Sequence, residues 1–258
     1  MEYKFDLTDK VKDFLNGAET SEIDIGCSNS QVVKISKDSV FYLKIAALGE
    51  LTNEYKKLQW LSGKVKVPEI VLYETNNDVE YLITKAIPGE MVCSDYYLTD
   101  DNWKLGIPII IEAFKELYEV DIKDCPFNVS LNYKLALIKS NIENNFDKLE
   151  ISDHVLEKFR NPENIYKHLV ENRFKEELCF SHGDISLPNI FTLNNEFTGF
   201  IDVGDCGIAD KWFDIAIAVR TIKRNYGEKA VDEFFKQLGV KKDNNKINYY
   251  LLLMELYL

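Results

Sequence analysis

Apolar residues recur at helical spacing over residues 6–16, where Leu7, Val11, Phe14 and Leu15 predict an introductory amphipathic helix. The period then shortens. Ile23–Ile35 reads as strand, loop, strand, and Val40-Phe41-Tyr42-Leu43-Lys44-Ile45 is a strand with Tyr42 and Lys44 on one face. Glu50–Ser62 returns to helical spacing, with Leu51, Tyr55, Leu58 and Leu61 on one side and Gly63 as the stop. Val67–Tyr73 and Val79–Thr84 read as paired strands around a turn at Asn76-Asn77. Ala86-Ile87-Pro88-Gly89 then breaks the pattern, as a hinge between two lobes would.

From about residue 101 the chain is largely helical. Ile107–Val120 and Leu131–Leu149 have helical periods, and Pro162 opens a third helix with Asn161 as its N-cap. Two short apolar runs interrupt this, ending at Phe180-Ser181 and at Ile190-Phe191, and a third, Gly199-Phe200-Ile201, follows the hairpin-type turn Asn194-Asn195-Glu196. Ala209–Ala216 opens a buried helix, and the last helices run through Val231–Leu238 and Ile247–Leu258. There is no internal repeat and no low-complexity tract. The pattern predicts an α+β chain of two lobes: residues 1–86 form an N-terminal β-sheet lobe with one main helix, and residues 87–258 a mostly helical lobe.

Composition narrows this picture little. At 258 residues the chain can bury a sizeable core, as one large domain or two lobes. Its 31 basic and 43 acidic residues give a net charge of −12, which argues against general nucleic-acid or anionic-membrane binding; it is compatible with a cationic substrate, though a diffuse solvated acidic surface is the commoner explanation. The five cysteines (Cys27, Cys93, Cys125, Cys179, Cys206) are scattered without metal-ligand spacing, so reduced thiols are expected rather than zinc or disulfides. No apolar stretch reaches the ~20 residues of a membrane span, and residues 1–6 have no signal-peptide core. A cytoplasmic protein, monomeric or weakly dimeric, is expected.

The chemistry concentrates in His182-Gly183-Asp184-Ile185-Ser186-Leu187-Pro188-Asn189 and in Gly199-Phe200-Ile201-Asp202. Asp184, Asn189 and Asp202 each stand at a loop position just beyond an apolar element, where buried strands hold side chains rigidly. Asp184 is the candidate catalytic residue, able to orient a hydroxyl and accept its proton. Asn189 and Asp202 offer the hard oxygen ligands that suit Mg²⁺ on nucleotide phosphates. The ordered set H-G-D-x-x-x-x-N, then apolar-apolar-D, looks like the catalytic and metal-binding loops of kinase-like phosphotransferases. That context changes the reading of Lys44, otherwise an edge-strand lysine with its amine in water. Glu54 is either its carboxylate partner or a solvated helix glutamate. Gly26 and the small residues after it fit a phosphate-covering loop and a plain hairpin turn equally well.

The chain further resembles the aminoglycoside 3'-phosphotransferases, bacterial antibiotic-resistance kinases with a protein-kinase-like fold. The likeness covers nearly the whole length. It includes Tyr42-Leu43-Lys44, Trp60–Lys64 with Val67-Pro68, Phe180–Asp184, Gly199–Asp202, Ala209–Ala216 and the Tyr249–Leu253 tail. The resemblance implies ATP as phosphoryl donor, with GTP open, and Mg²⁺ as cofactor. It gives Lys44 to the nucleotide phosphates with Glu54 holding it, Tyr42 to the adenine face, Ser28 to a phosphate and the backbone of Ala86 to the base. It makes Asp184 the base, with Asn189 and Asp202 as metal ligands, while His182 and Asp214 brace the loop.

The acceptor side departs from the family pattern. An acid is usual where Leu187 stands, and an acid pair where Met254 and Glu255 stand. Asp205 replaces a usual basic residue, and the run to Leu258 displaces the terminal carboxylate used as a ligand. Glu255 and Asp205 remain as candidate substrate-side acids. Each lost partner for a desolvated cation costs about 1–3 kcal/mol. The expected activity is ATP- and Mg²⁺-dependent phosphorylation of an aminoglycoside hydroxyl. The alternatives are the same chemistry on another hydroxylated small molecule, or a nucleotide-binding pseudokinase, against which the presence of Lys44, Asp184, Asn189 and Asp202 weighs.

Overall fold

The computed structural model describes residues 3–23, 30–99 and 101–257. Its elements in chain order are α1 (Asp9–Leu15), β1 (Glu19–Ile23), β2 (Gln31–Ser36), β3 (Val40–Ala47), α2 (Thr52–Leu61), β4 (Ile70–Asn76), β5 (Val79–Lys85) and β6 (Glu90–Met91). Helices follow: α3 (Trp103–Tyr118), α4 (Leu131–Asn144), α5 (Asp153–Phe159) and α6 (Pro162–Glu171). The remainder is β7 (Leu178–Ser181), β8 (Ile190–Leu193), β9 (Glu196–Phe200), β10 (Gly207–Asp210), α7 (Lys211–Tyr226), α8 (Glu228–Leu238) and α9 (Asn244–Met254). Two compact units result: Met1–Glu90 with Phe191–Gly204, and Met91–Ile190 with Asp205–Leu258.

The first unit is an antiparallel sheet in the order β1-β2-β3-β5-β4. Alternation decides its two faces. Val33, Ile35, Leu43, Ile45, Tyr81 and Ile83 point one way and close with Val11 of α1 into a buried cluster. Each such side chain contributes about 1.5–3 kcal/mol of burial. The other face carries Tyr42 and Lys44, opposite Thr84 and Leu82. β8 and β9 form a hairpin whose two turn residues, Asn194 and Asn195, have φ of 55° and 64°, the left-handed pair a type I′ turn demands.

In the second unit β7 pairs antiparallel with β10, register Gly207↔Ser181 to Asp210↔Leu178. Helices pack around this ribbon: Phe114 of α3 meets Phe234 of α8 with ring centroids 5.4 Å apart, and Phe213 of α7 meets Tyr250 of α9 at 5.9 Å. Asn161 caps α6, its side chain accepting from the Asn164 N–H at 2.9 Å. Among the described residues no helix is long and apolar enough to cross a membrane.

Several boundaries differ from the sequence expectation. β4 starts at Ile70 instead of Val67, because Pro68 has no N–H to give a ladder. β1 extends back to Glu19; its exposed edge position leaves no apolar alternation to read. The helix expected over 131–149 stops at Asn144, α5 follows it, and α9 ends at Met254 instead of Leu258. α5 went unread because it is seven residues long and buries only Val155.

Candidate active site

In the first unit, the alternation that sends Leu43 and Ile45 into the core sends Lys44 to the opposite face. There its Nζ donates to both carboxylate oxygens of Glu54, at 2.8 and 2.9 Å. Glu54 sits in the first turn of α2, where a carboxylate also meets the positive end of the helix dipole. The Asp202 carboxylate lies 4.0 Å from the same amine. Burial opposes the Lys44 charge, but the two carboxylates outweigh it and hold the ammonium above its ordinary value. The alternative of a solvated helix glutamate at Glu54 does not describe this geometry.

Asp202 follows β9, which is tethered by the Phe200 N–H donating to Lys66 O at 2.8 Å. A side chain at Gly199 would come within 2.8 Å of that same carbonyl, so only glycine permits the approach. Asp202 itself has φ of 58°, a left-handed conformation that non-glycine residues adopt at a cost of order 1 kcal/mol or more. It is held there from downstream: Gly204 O accepts from Asn53 Nδ2 at 2.7 Å and from Lys57 Nζ, both on α2. Sequence inspection missed Asn53 and Lys57, since nothing local links a helix to a residue some 150 positions away.

Tyr42 shares the Lys44 face, as alternation requires. The Ala86 N–H, assigned to a nucleotide base by resemblance, donates to Val40 O at 2.9 Å, so a base would have to displace this bond or use another group. Ser28 lies outside the described residues.

The second unit holds the catalytic-type loop. α7 is capped by Asp210, whose carboxylate accepts from Trp212 N–H at 3.2 Å and from Tyr250 Oη–H at 2.7 Å. This fixes Asp214, fully buried in the first turn of α7. Its oxygens accept from His182 N–H at 2.8 Å, Gly183 N–H at 3.0 Å and Ser181 Oγ–H at 2.9 Å. Burial pushes the Asp214 carboxyl up from its ordinary value, against the pull of His182 and of these donors. His182 is buried too, and its Nδ1 accepts from the Asp184 N–H at 3.3 Å, a bracing contact.

Asn189 Nδ2 donates to Asp184 O and to Asp184 Oδ2, both at 2.9 Å. Both partners are pure acceptors, so the amide nitrogen must face them. The orientation of the amide is thereby decided, and Asn189 Oδ1 is left for a cation. Ile185 and Leu187 are fully buried, while Asp184 and Ser186, on either side of Ile185, stay half-buried. Gly183 has φ of 88°, and a Cβ there would lie 2.4 Å from Asp205 O. Gly183→Ala should therefore cost on the order of 2 kcal/mol or more and lower kcat, read by thermal melting alongside turnover.

On the acceptor side, Leu187 is a core residue whose N–H meets Thr221 Oγ1 at 3.4 Å. Glu255 accepts from Ser152 N–H at 2.8 Å and Ser152 Oγ–H at 3.1 Å, at the start of α5. It borders a groove of about 810 Å³ that is also lined by His154, Lys158, Arg173 and the buried Tyr249. Asp205 is exposed. Cys93, Cys125, Cys179 and Cys206 are free thiols.

An ion-paired lysine on a sheet face and an Asp–Asn loop pinned by a buried aspartate are the parts of a kinase-type phosphotransferase, and residues 19–248 match the model of the phosphotransferase enzyme family. Over 240 residues the chain is 33% identical to an aminoglycoside 3'-phosphotransferase of Staphylococcus aureus, spanning 90% of this chain and 91% of that protein. The crystal structure of a type VIII aminoglycoside 3'-phosphotransferase superposes with a TM-score of 0.82 at 24% identity, covering 96% and 97% of the two chains. An aminoglycoside phosphotransferase from Streptomyces rimosus, solved with ADP and streptomycin, superposes with a TM-score of 0.74 at 20% identity, covering 96% and 95%. The chain belongs to the aminoglycoside 3'-phosphotransferase family, and its α+β fold is the kinase-like fold of that family.

Proposed function

We propose that the protein transfers the γ-phosphoryl group of ATP to a hydroxyl of an aminoglycoside antibiotic, a reaction of the 3' type that confers resistance in the cytoplasm. The observation that carries this reading is that the first unit forms the Lys44–Glu54 ion pair with the Asp202 carboxylate turned toward Lys44, and the second unit by itself forms the Asp184–Asn189 hydrogen bonds. Lys44 clamps the nucleotide phosphates, and Glu54 keeps its amine aimed. Asp184 orients the acceptor hydroxyl and takes its proton as the oxygen bonds to the γ-phosphorus and the bond to the bridging oxygen of ADP breaks. Asn189 Oδ1 and the Asp202 carboxylate are the hard oxygens fit to hold Mg²⁺, which when bound neutralises charge on the phosphates. His182 and Asp214 keep the loop in shape, Tyr42 serves the base, and Ala86 serves it through its backbone carbonyl, since its N–H is held by Val40 O.

A second reading, the same transfer to a different hydroxylated molecule, is favoured by two features of the acceptor side. Leu187 is locked in the core, and the groove beside Glu255 presents Lys158 and Arg173, which repel a polycation. Coupled ADP release with Mg·ATP against kanamycin, neomycin, a macrolide and simple sugar alcohols separates the two. Turnover on kanamycin or neomycin well above background is expected; nucleotide binding with turnover only on another class would transfer the assignment to the second reading.

A further inference from the structure

Glu80 occupies an unusual place in the first unit. It lies on β5, opposite Ala46 of β3, on the sheet face that also bears Lys44. Strand glutamates on such a face are usually solvated, yet Glu80 is fully buried. What receives it is the open end of α2. That helix begins at Leu51, which offers no side-chain cap, so its first N–H groups need acceptors from elsewhere. Glu80 Oε2 accepts from the Leu51 N–H at 2.5 Å and from the Thr52 N–H at 3.0 Å. Its Oε1 accepts from Tyr73 Oη–H at 2.6 Å and from the Thr52 hydroxyl. The Tyr73 ring in turn stacks on Tyr55 of α2, centroids 3.8 Å apart and planes within 10°.

α2 carries more than one part of the machinery. Glu54 on it holds Lys44, and Asn53 and Lys57 on it hold Gly204 O, two residues beyond Asp202. A rotation or slip of this helix would move the phosphate clamp and the metal-side carboxylate together. We infer that Glu80 is a positioning residue for phosphoryl transfer: acting as a cap supplied from a neighbouring strand, with Tyr73 as its buttress, it sets the position of α2 and through it both Lys44 and Asp202. Burial would raise the Glu80 carboxyl, but the hydroxyl donors and the two backbone N–H groups hold it below its ordinary value, so it caps as the anion at neutral pH. The inference rests on the phosphoryl-transfer reading.

The test compares wild type with Glu80→Gln, Glu80→Ala and Tyr73→Phe. Calorimetric titration with Mg·ADP and coupled ADP release with kanamycin and Mg·ATP are read beside thermal melting. Glu80→Gln keeps one acceptor oxygen, so it should raise the Mg·ADP Kd and the KM for Mg·ATP about tenfold, and Glu80→Ala more, with the acceptor KM unchanged. Tyr73→Phe should raise both by a smaller factor of about two to three, and decides the matter should the Glu80 variants fail to fold. Variants that melt earlier yet bind Mg·ADP like wild type would overturn the inference, leaving Glu80 a stability element alone. Failure of wild type itself to bind Mg·ADP would instead sink the phosphoryl-transfer reading, and the inference with it.

Discussion

Asp184→Asn is expected to lower kcat by about 10²–10⁴-fold, the range a positioned general base contributes, while leaving the Kd for Mg·ATP nearly unchanged. The substitution isolates the proton-accepting role because it keeps the local shape. The asparagine oxygen can still accept from Asn189 Nδ2, which now donates to Asp184 Oδ2 at 2.9 Å, and the backbone carbonyl of residue 184 keeps its own bond at 2.9 Å. His182 and Gly183 remain anchored on Asp214, so the loop has no reason to move. Single-turnover measurement of phosphoryl transfer beside equilibrium nucleotide titration distinguishes the outcomes. A fall in affinity as large as the fall in rate would mean that Asp184 serves the nucleotide and not the hydroxyl.

Asp214→Ala should be the most damaging change outside the reacting groups. It strips the acceptor from two backbone N–H groups and one hydroxyl, all buried. Each donor left unsatisfied costs about 1–3 kcal/mol, partly offset by relief from burying a carboxylate, so a net loss on the order of 2–5 kcal/mol is expected. At roughly 2–4 °C per kcal/mol for a chain of this size, the melting temperature should drop by about 4–20 °C. Activity should fall further than the unfolded fraction explains, because the loop bearing Asp184 loses its anchor. A variant that melts early but turns over normally at low temperature would show that the loop holds its shape without Asp214.

These two residues differ in how far they could be read in advance. Asp184 was legible because its chemistry is local: a glycine before it with a forced positive φ, an asparagine five positions on, and apolar residues between that fix which side chains face out. Asp214 was legible only through its resemblance-based role, since its partners lie more than thirty positions upstream on β7 and the loop beyond it. Lys44 and Glu54 fell between these cases. Strand alternation set the face of Lys44, but the ion pair that separates a clamp from a solvated lysine required α2 to lie on that face.

Glu80, Leu187 and Glu255 mark where reading along the chain stops. In Val79-Glu80-Tyr81-Leu82 a glutamate at period two looks like a residue facing water, yet it is buried because an uncapped helix brings its N–H groups there. Leu187 stands where an acid was usual, and it is buried in the core together with Ile185. Glu255 faces Ser152 at the head of a short helix that the period did not announce.

The sequence by itself therefore determined the strands and longer helices, through the periods of apolar burial, and singled out the proposed reacting groups, through a motif whose spacing is short enough for local backbone geometry to enforce. Only the tertiary structure decided which charges are paired, which carboxylates cap helices and which loop residues enter the core. Those outcomes depend on donors and acceptors that meet across tens of residues, and burial leaves each such group no partner but the one the fold supplies.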